Sequence, residues 1–311
     1  MLGTVGKGWV TPLNMESSGV REEFENPLGR GVRVLRRFPL GSLGSLAQDE
    51  VPLDRRLDLV RGVGPHTFQK LKDAGYETLV DLARHPRFGP GATRVWAALA
   101  RRDARALINF GARDLELLPL FPRREWVVVD IETTGLAQVL PVFLIGVAYA
   151  GATHWEVCQY VAEGFEQEGA ILWQAAEDLE RRSVCITYNG KAFDEPFVRA
   201  RFRFYGLTPL TFRLHVDLLH TCRRRFSTRF PNCRLTTIAQ GVLGIDRGED
   251  ITGDQAPDLY YRFLRDGDQQ ALALLLEHNA HDLFALTQLL DALWSGEFDR
   301  GIWEREDEGV S

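Results

Sequence analysis

The stretch WVVVDIETTGL, Trp126 to Leu136, constrains this chain more than any other. A run of strand-forming apolar residues leads into Asp130, and Glu132 follows two positions on. Alternate residues of a strand share a face, so the two carboxylates point the same way. Like charges at the end of a buried strand repel unless a cation lies between them. A hard divalent ion is the natural partner for such oxygen donors. An exposed strand end beside a loop would also tolerate the pair, so D-x-E by itself does not decide.

The order of elements downstream adds to this. WVVVDIE, FLIGVAYA and THWEVCQYVA read as strands. EGAILWQAAEDLERR has helical periodicity, SVCITYNG is a strand, DEPFVRARFRFYG a helix and LHVDLLH a strand running into a helix. RLTTIAQGVLG and DQQALALLLEHNAHDLFALTQLLDALW are helical. The alternation predicts an α/β unit with a mixed sheet and flanking helices. Within it, Asp194 follows a strand ending at Tyr188-Asn189-Gly190, where a helix begins. That position suits a helix cap as well as a ligand. Asp282 interrupts an apolar helical face, and His278 lies one turn earlier on the same side. A solvent-facing His/Asp pair is the plainer account of those two. Four acids in this order on strand ends and helix faces are hard to explain as independent accidents.

D-x-E-T-T-G-L, then Y-N-G-K-x-F-D, then H-N-x-x-D resemble the three motifs of the DEDD 3′–5′ exonuclease superfamily. More closely, they resemble YprB-type ribonuclease H-like proteins, through VDLLHTCRRRF, PNCRLTTIAQGVLGI and YYRFLRDGD. The resemblance covers roughly Trp126 to Trp294. It implies a ribonuclease H-like sheet and a metal set of Asp130, Glu132, Asp194 and Asp282. Two Mg²⁺ or Mn²⁺ ions would be the cofactors. His278 would accept a proton from the attacking water. Thr133, Thr134 and Leu136 would contact the terminal nucleotide, and Asn189, Lys191 and Phe193 would line the second motif. One departure matters. The histidine subclass has its histidine five positions before the last aspartate, where Glu277 stands here. The tyrosine subclass has tyrosine four before, where His278 stands. His278 is the choice, and His281, next to Asp282, is expected to face elsewhere. Asp217 is left outside the metal set, as a supporting residue or a cap.

Upstream, residues 51–122 read as a small all-α unit. RGVGPHTFQKLKDAGYETLVDL resembles a helix-hairpin-helix motif built on Gly62-Val63-Gly64. Its glycines would let backbone N–H groups approach a phosphate, with Arg61, Lys70 and Lys72 nearby. Packing between helices is the alternative use of such a turn. A further helix, TRVWAALARRDARALINF, is expected after a turn at Gly89–Gly91. Residues 1–50 form an N-terminal extension, partly irregular, with a short strand in GVRVLRRFPLG and disorder up to about Val20. The α/β unit spans 123–297, and 298–311 is a tail.

The formal net charge of −6 does not advertise a nucleic-acid partner, but its distribution is uneven. Residues 51–125 hold 14 Lys/Arg against 9 Asp/Glu, whereas 126–311 hold 17 against 28. Inside the acidic half, Arg199 to Arg234 contains nine arginines and one acid, Asp217. A basic wall beside an acidic pocket would guide a polyanion in. Arg223, Arg224, Arg225 and Arg229 are the backbone-contact candidates. Phe226 and Phe230 are either base-stacking residues or core. No apolar run approaches the ~20 residues of a membrane span, and MLGTVGKGWVTPLN lacks the apolar core of a signal peptide. A cytoplasmic protein is expected. Cys158, Cys185, Cys222 and Cys233 show no C-x-x-C spacing, so buried or free thiols are expected rather than a zinc site or a disulfide framework.

These readings converge on a metal-dependent 3′–5′ exonuclease that releases nucleoside 5′-monophosphates from single-stranded DNA, with a role in DNA repair inferred from the pairing of units. A non-catalytic nucleic-acid adaptor, an RNA exonuclease and a structure-specific endonuclease are the alternatives.

Overall fold

The computed structural model describes residues 19–39, 52–151, 154–248 and 250–295. The expected disorder up to about Val20 lies almost wholly outside these residues, and the tail 298–311 lies outside them entirely.

Seven strands form one sheet, in the order β1-β2-β5-β4-β3-β6-β7. They are β1 Val20–Asn26, β2 Gly29–Pro39, β3 Trp126–Thr133, β4 Val142–Ala150, β5 His154–Val161, β6 Val184–Thr187 and β7 Leu214–Asp217. β3, β4 and β5 form an antiparallel meander, and β6 and β7 add in parallel beside β3. Parallel addition needs a crossover. Helix α5, Glu168–Leu179, leads from β5 to β6, and α6, Asp194–Phe204, leads from β6 to β7. Apolar β-branched runs in β3 and β4 match burial on both sheet faces.

In the N-terminal extension, read as partly irregular with a short strand, the described residues 19–39 are more regular than that. β1 and β2 form a hairpin whose second strand pairs with β5, extending the sheet by two strands. The short strand expected in GVRVLRRFPLG is part of an 11-residue strand; Leu40 and Gly41 lie outside the described residues.

Residues 53–125 are helical in short pieces, and the helix expected over TRVWAALARRDARALINF is divided in two. Two single 3-10 turns, Leu53–Arg55 and Leu57–Leu59, precede α1, Pro65–Asp73. α2, Leu79–Leu82, starts with a capping box between Thr78 and Asp81. Gly89-Pro90-Gly91 forms the first turn of α3, Gly89–Ala100, where proline is tolerated. Arg101 caps α3, and Arg102 follows in the left-handed region at φ 53°. Asp103 then caps α4, Ala104–Asn109. One apolar cluster runs from Leu57, Leu79, Leu82 and Leu107 into Trp126, Val128, Ile186 and Leu289, so the helices and the sheet share a core.

Four more helices complete the α/β layer: α7 Leu218–Phe226, α8 Leu235–Leu243, α9 Ala256–Asp266 and α10 Gln269–Ser295. α10 packs across β3 and β4. The cysteines are free, and three of them are buried.

Candidate active site

β3 brings Asp130 and Glu132 to one face through strand alternation, and a register shift follows between Glu132 and Thr133. α10 lies over this face. It supplies His278, Asn279 and Asp282 from adjacent turns, the first and last four residues apart. Asp194 opens α6 as its first residue, and Phe193 holds the cap position without a side-chain cap bond. The backbone N–H of Ile131 reaches the Asp194 carboxyl, so the start of α6 is tied to β3. The four acids predicted from the three motifs therefore stand together.

Their electrostatics carry the mark of crowding. Burial first, and then Asp282, Glu132 and Asp194, hold the Asp130 carboxyl well above its ordinary value. Glu132 is pushed up to about 8, by burial and by Asp282, Asp194 and Asp250, against the opposing charge of His278. Asp194 is pushed up to about 7, by burial and by Asp217 and Asp282. Carboxyl groups forced together out of water favour the proton or another cation. Oδ1 of Asp282 is buried at this site, and its neighbour there is a cationic side chain. An all-carboxylate donor set fits Mg²⁺ or Mn²⁺. As they stand, no three His, Cys, Asp or Glu side chains among the described residues form a closed metal cluster. Arg247 instead lies with Nη1 2.5 Å from Oδ1 of Asp282 and 3.3 Å from Asp250.

His278 is buried, and its Nδ1 is 3.0 Å from Oδ1 of Asp250. Its Nε2 lies 3.8 Å from Oδ2 of Asp282. Burial lowers the imidazole pKa, but the Asp250 hydrogen bond and the charges of Asp282 and Glu132 outweigh it, and the net direction is up. Asp250 moves down despite its burial, because His278 and His281 both bond to it. His281 does not face elsewhere: its Nδ1 is 3.4 Å from Oδ2 of Asp250. Asp250 and Arg247 escaped the sequence reading. They sit in the irregular link between α8 and α9, where no periodicity marks a residue's direction.

In the second motif, Asn189 has φ 66°, and a Cβ on Gly190 would lie 2.4 Å from Thr187 Oγ1. Asp217 holds this turn by accepting from the backbone N–H groups of Asn189 and Lys191 at 2.8 and 3.2 Å, and it also caps α7. The Lys191 ammonium reaches back to Asp114 at 2.7 Å, an acid of the helical segment that the sequence reading also missed. Phe193 is half-buried, with its ring 5.5 Å from that of Phe197. Thr133 and Thr134 are buried; the Thr133 hydroxyl donates to Gly135 O. Leu136 is 86% exposed in the loop after β3.

The remaining predicted contacts stand on other elements. Gly62 and Gly64 form an exposed turn before α1, with Gly62 at φ 90°. Arg223, Arg224 and Arg225 are exposed on α7; Arg224 donates to Thr221 Oγ1, and Arg225 donates to Leu293 O. Phe226 is 1% exposed and belongs to the core, and half-buried Phe230 packs against it. Among the described residues no helix is long and apolar enough to cross a membrane.

A family model described as RNase_H superfamily matches residues 127–294. The uncharacterized protein YprB of Bacillus subtilis (strain 168) is 34% identical over 164 residues, covering 51% of this chain and 40% of its own length. The similarity thus spans less than half of that relative. A solved family B DNA polymerase from the hyperthermophilic archaeon Pyrobaculum calidifontis is similar with a TM-score of 0.43 and 15% identity, over 56% of this chain and 27% of its own.

Proposed function

The chain belongs to the RNase_H superfamily, and from that premise we propose that it is a cytoplasmic, metal-dependent 3′–5′ exonuclease acting on single-stranded DNA. The observation that carries this reading is the meeting of buried Glu132 and Asp194 with half-buried Asp130 and Asp282 beside an imidazole held by Asp250. The four carboxylates would hold two Mg²⁺ or Mn²⁺ ions, whose Lewis acidity supports in-line displacement at phosphorus. The bond from Nδ1–H of His278 to Asp250 leaves Nε2 as the basic nitrogen. Nε2 would take the proton of the attacking water, and the released product would be a nucleoside 5′-monophosphate. Exposed Leu136 would lie against the terminal nucleotide, with Thr133 and Thr134 beneath it.

Exposed Gly62 and Gly64 before α1 support a helix-hairpin-helix role, in which backbone N–H groups at the start of α1 would meet a DNA phosphate. Arg223 and Arg224 on α7 would give a second backbone contact. Such a pairing of units fits work on DNA ends, as in repair.

The test uses 5′-labelled single-stranded DNA and matched RNA with Mn²⁺, resolved on a denaturing gel. The expected result is a ladder shortening from the 3′ end, stronger on DNA, abolished by EDTA and by Asp130→Ala. Cleavage that persists in Asp130→Ala overturns the site. Binding of DNA without cleavage of either substrate favours a non-catalytic adaptor.

A further inference from the structure

Resting on the reading of Asp130 as a metal ligand, we propose that Arg36, Gln159 and Asn279 are positioning residues that orient its carboxylate from the N-terminal hairpin. Asp130 on β3 is paired with Gly146 on β4, Gly146 with Gln159 on β5, and Gln159 with Val34 on β2. These four positions form one row across the sheet. Gly146 leaves a gap in the row, and Asn279 of α10 fills it. A Cβ on residue 146 would lie 2.1 Å from Asn279 Oδ1.

A directional chain of hydrogen bonds follows the row. Arg36 Nε donates to Gln159 Oε1 at 3.1 Å. Gln159 Nε2 donates to Asn279 Oδ1 at 2.9 Å and to Leu276 O at 2.7 Å. Asn279 Nδ2 donates to Asp130 Oδ2 at 2.8 Å. The direction has no freedom. Arginine only donates, and a backbone carbonyl only accepts, so Gln159 is fixed from both sides. Asn279 must then present its N–H to Asp130. Gln159 and Asn279 are both 0% exposed, so water cannot replace a lost partner.

Arg36 begins this chain, and it lies outside the residues matched by the family model. The hairpin therefore contributes a residue to the site rather than merely widening the sheet. Supporting partners of metal ligands commonly govern about 10- to 100-fold in metal affinity. The same scale is expected here, transmitted through two amides.

The test is calorimetric titration of the full chain with Mn²⁺, so its readout is independent of turnover. Arg36→Met should weaken Mn²⁺ binding about tenfold or more, and Arg36→Lys, which keeps a donor, should recover most of it. Arg37→Met, exposed on β2, and Arg33→Met, which loses the hairpin's pair with Glu22 on the opposite side of the strand, should bind as wild type. If thermal melting shows Arg36→Met to be unfolded, Gln159→Met, which removes the donor to Asn279 one step along the relay, carries the same comparison with the same outcomes deciding. Wild-type affinity in the Arg36 variant, with binding lost in Asp130→Ala, overturns the relay and leaves the site standing. Undiminished binding in Asp130→Ala overturns both.

Discussion

Asp250 accepts from two histidines of one helix, His278 at 3.0 Å and His281 at 3.4 Å, and so clamps a link between helices onto the face of α10 that carries Asp282. Its role toward His278 is to fix the tautomer and to support the charged form.

Asp250→Asn should therefore lower kcat on the order of 10-fold or more, part of what general base catalysis supplies, with a smaller change in KM. Loss of the carboxylate removes a group that raises the His278 pKa, so the acidic limb of the kcat/KM profile should move to lower pH. A pH–rate series on single-stranded DNA measures both. An unmoved limb would mean that His278 is not the titrating base.

Metal binding and pH should be linked through the acidic pocket. Glu132 and Asp194 have folded pKa values of about 8 and about 7, above their ordinary values. Between the ordinary and folded values the native state holds more protons than the unfolded chain. Their contribution to stability is thus full at low pH and is lost as pH rises through 7 and 8. Metal-stripped protein should melt at a lower temperature at pH 8.5 than at about pH 6, Mn²⁺ should reverse the difference, and its binding should release protons. Calorimetry in two buffers of different ionisation enthalpy counts them.

Arg201 belongs to the basic stretch by sequence but to the interior by structure. Its Nε and Nη2 pair with the two oxygens of Glu168 at 2.7 and 2.6 Å, and both side chains are nearly inaccessible, at 7% and 2% exposure. Glu168 also accepts from Val142 N and Tyr205 Oη. Arg201→Met would leave that carboxylate buried without its partner, at a cost of about 3–5 kcal/mol. Urea unfolding measures it, and the DNA affinity of the folded fraction should hardly change.

Arg223 differs in kind, being exposed on α7. Arg223→Ala should leave stability within about 0.5 kcal/mol, weaken DNA binding on all sequences alike, and reduce the slope of log K against log salt by about one. Filter binding across a salt series separates these effects.

What was legible in the sequence had a local period. Asp130 and Glu132 could be assigned to one face because a strand repeats every two residues. His278 and Asp282 could be joined because a helix brings residues four apart together. The features that escaped lack such a period. Asp250 and Arg247 lie in an irregular link, and their direction depends on how α8 and α9 pack. The break at Arg102 carries no glycine to announce its positive φ. Phe226 read as readily for a base platform as for core, because it directly follows Arg223-Arg224-Arg225 and only packing shows which face of α7 is inward. β2 has strand character, but its partner β5 is remote in sequence, and pairing over such distances leaves no local trace.

That remoteness has a consequence for synthesis. Arg36 and Gln159 are 123 residues apart. A ribosome adding about 5–20 residues per second makes the hairpin many seconds before the strand that receives it. An isolated two-stranded hairpin is marginal in water. During that interval β2 is a nascent edge with unmet hydrogen bonds, open to pairing with a neighbouring chain. The strands of this hairpin are thus made early and secured late, and the yield of this protein should depend on how the hairpin is sheltered until β5 arrives.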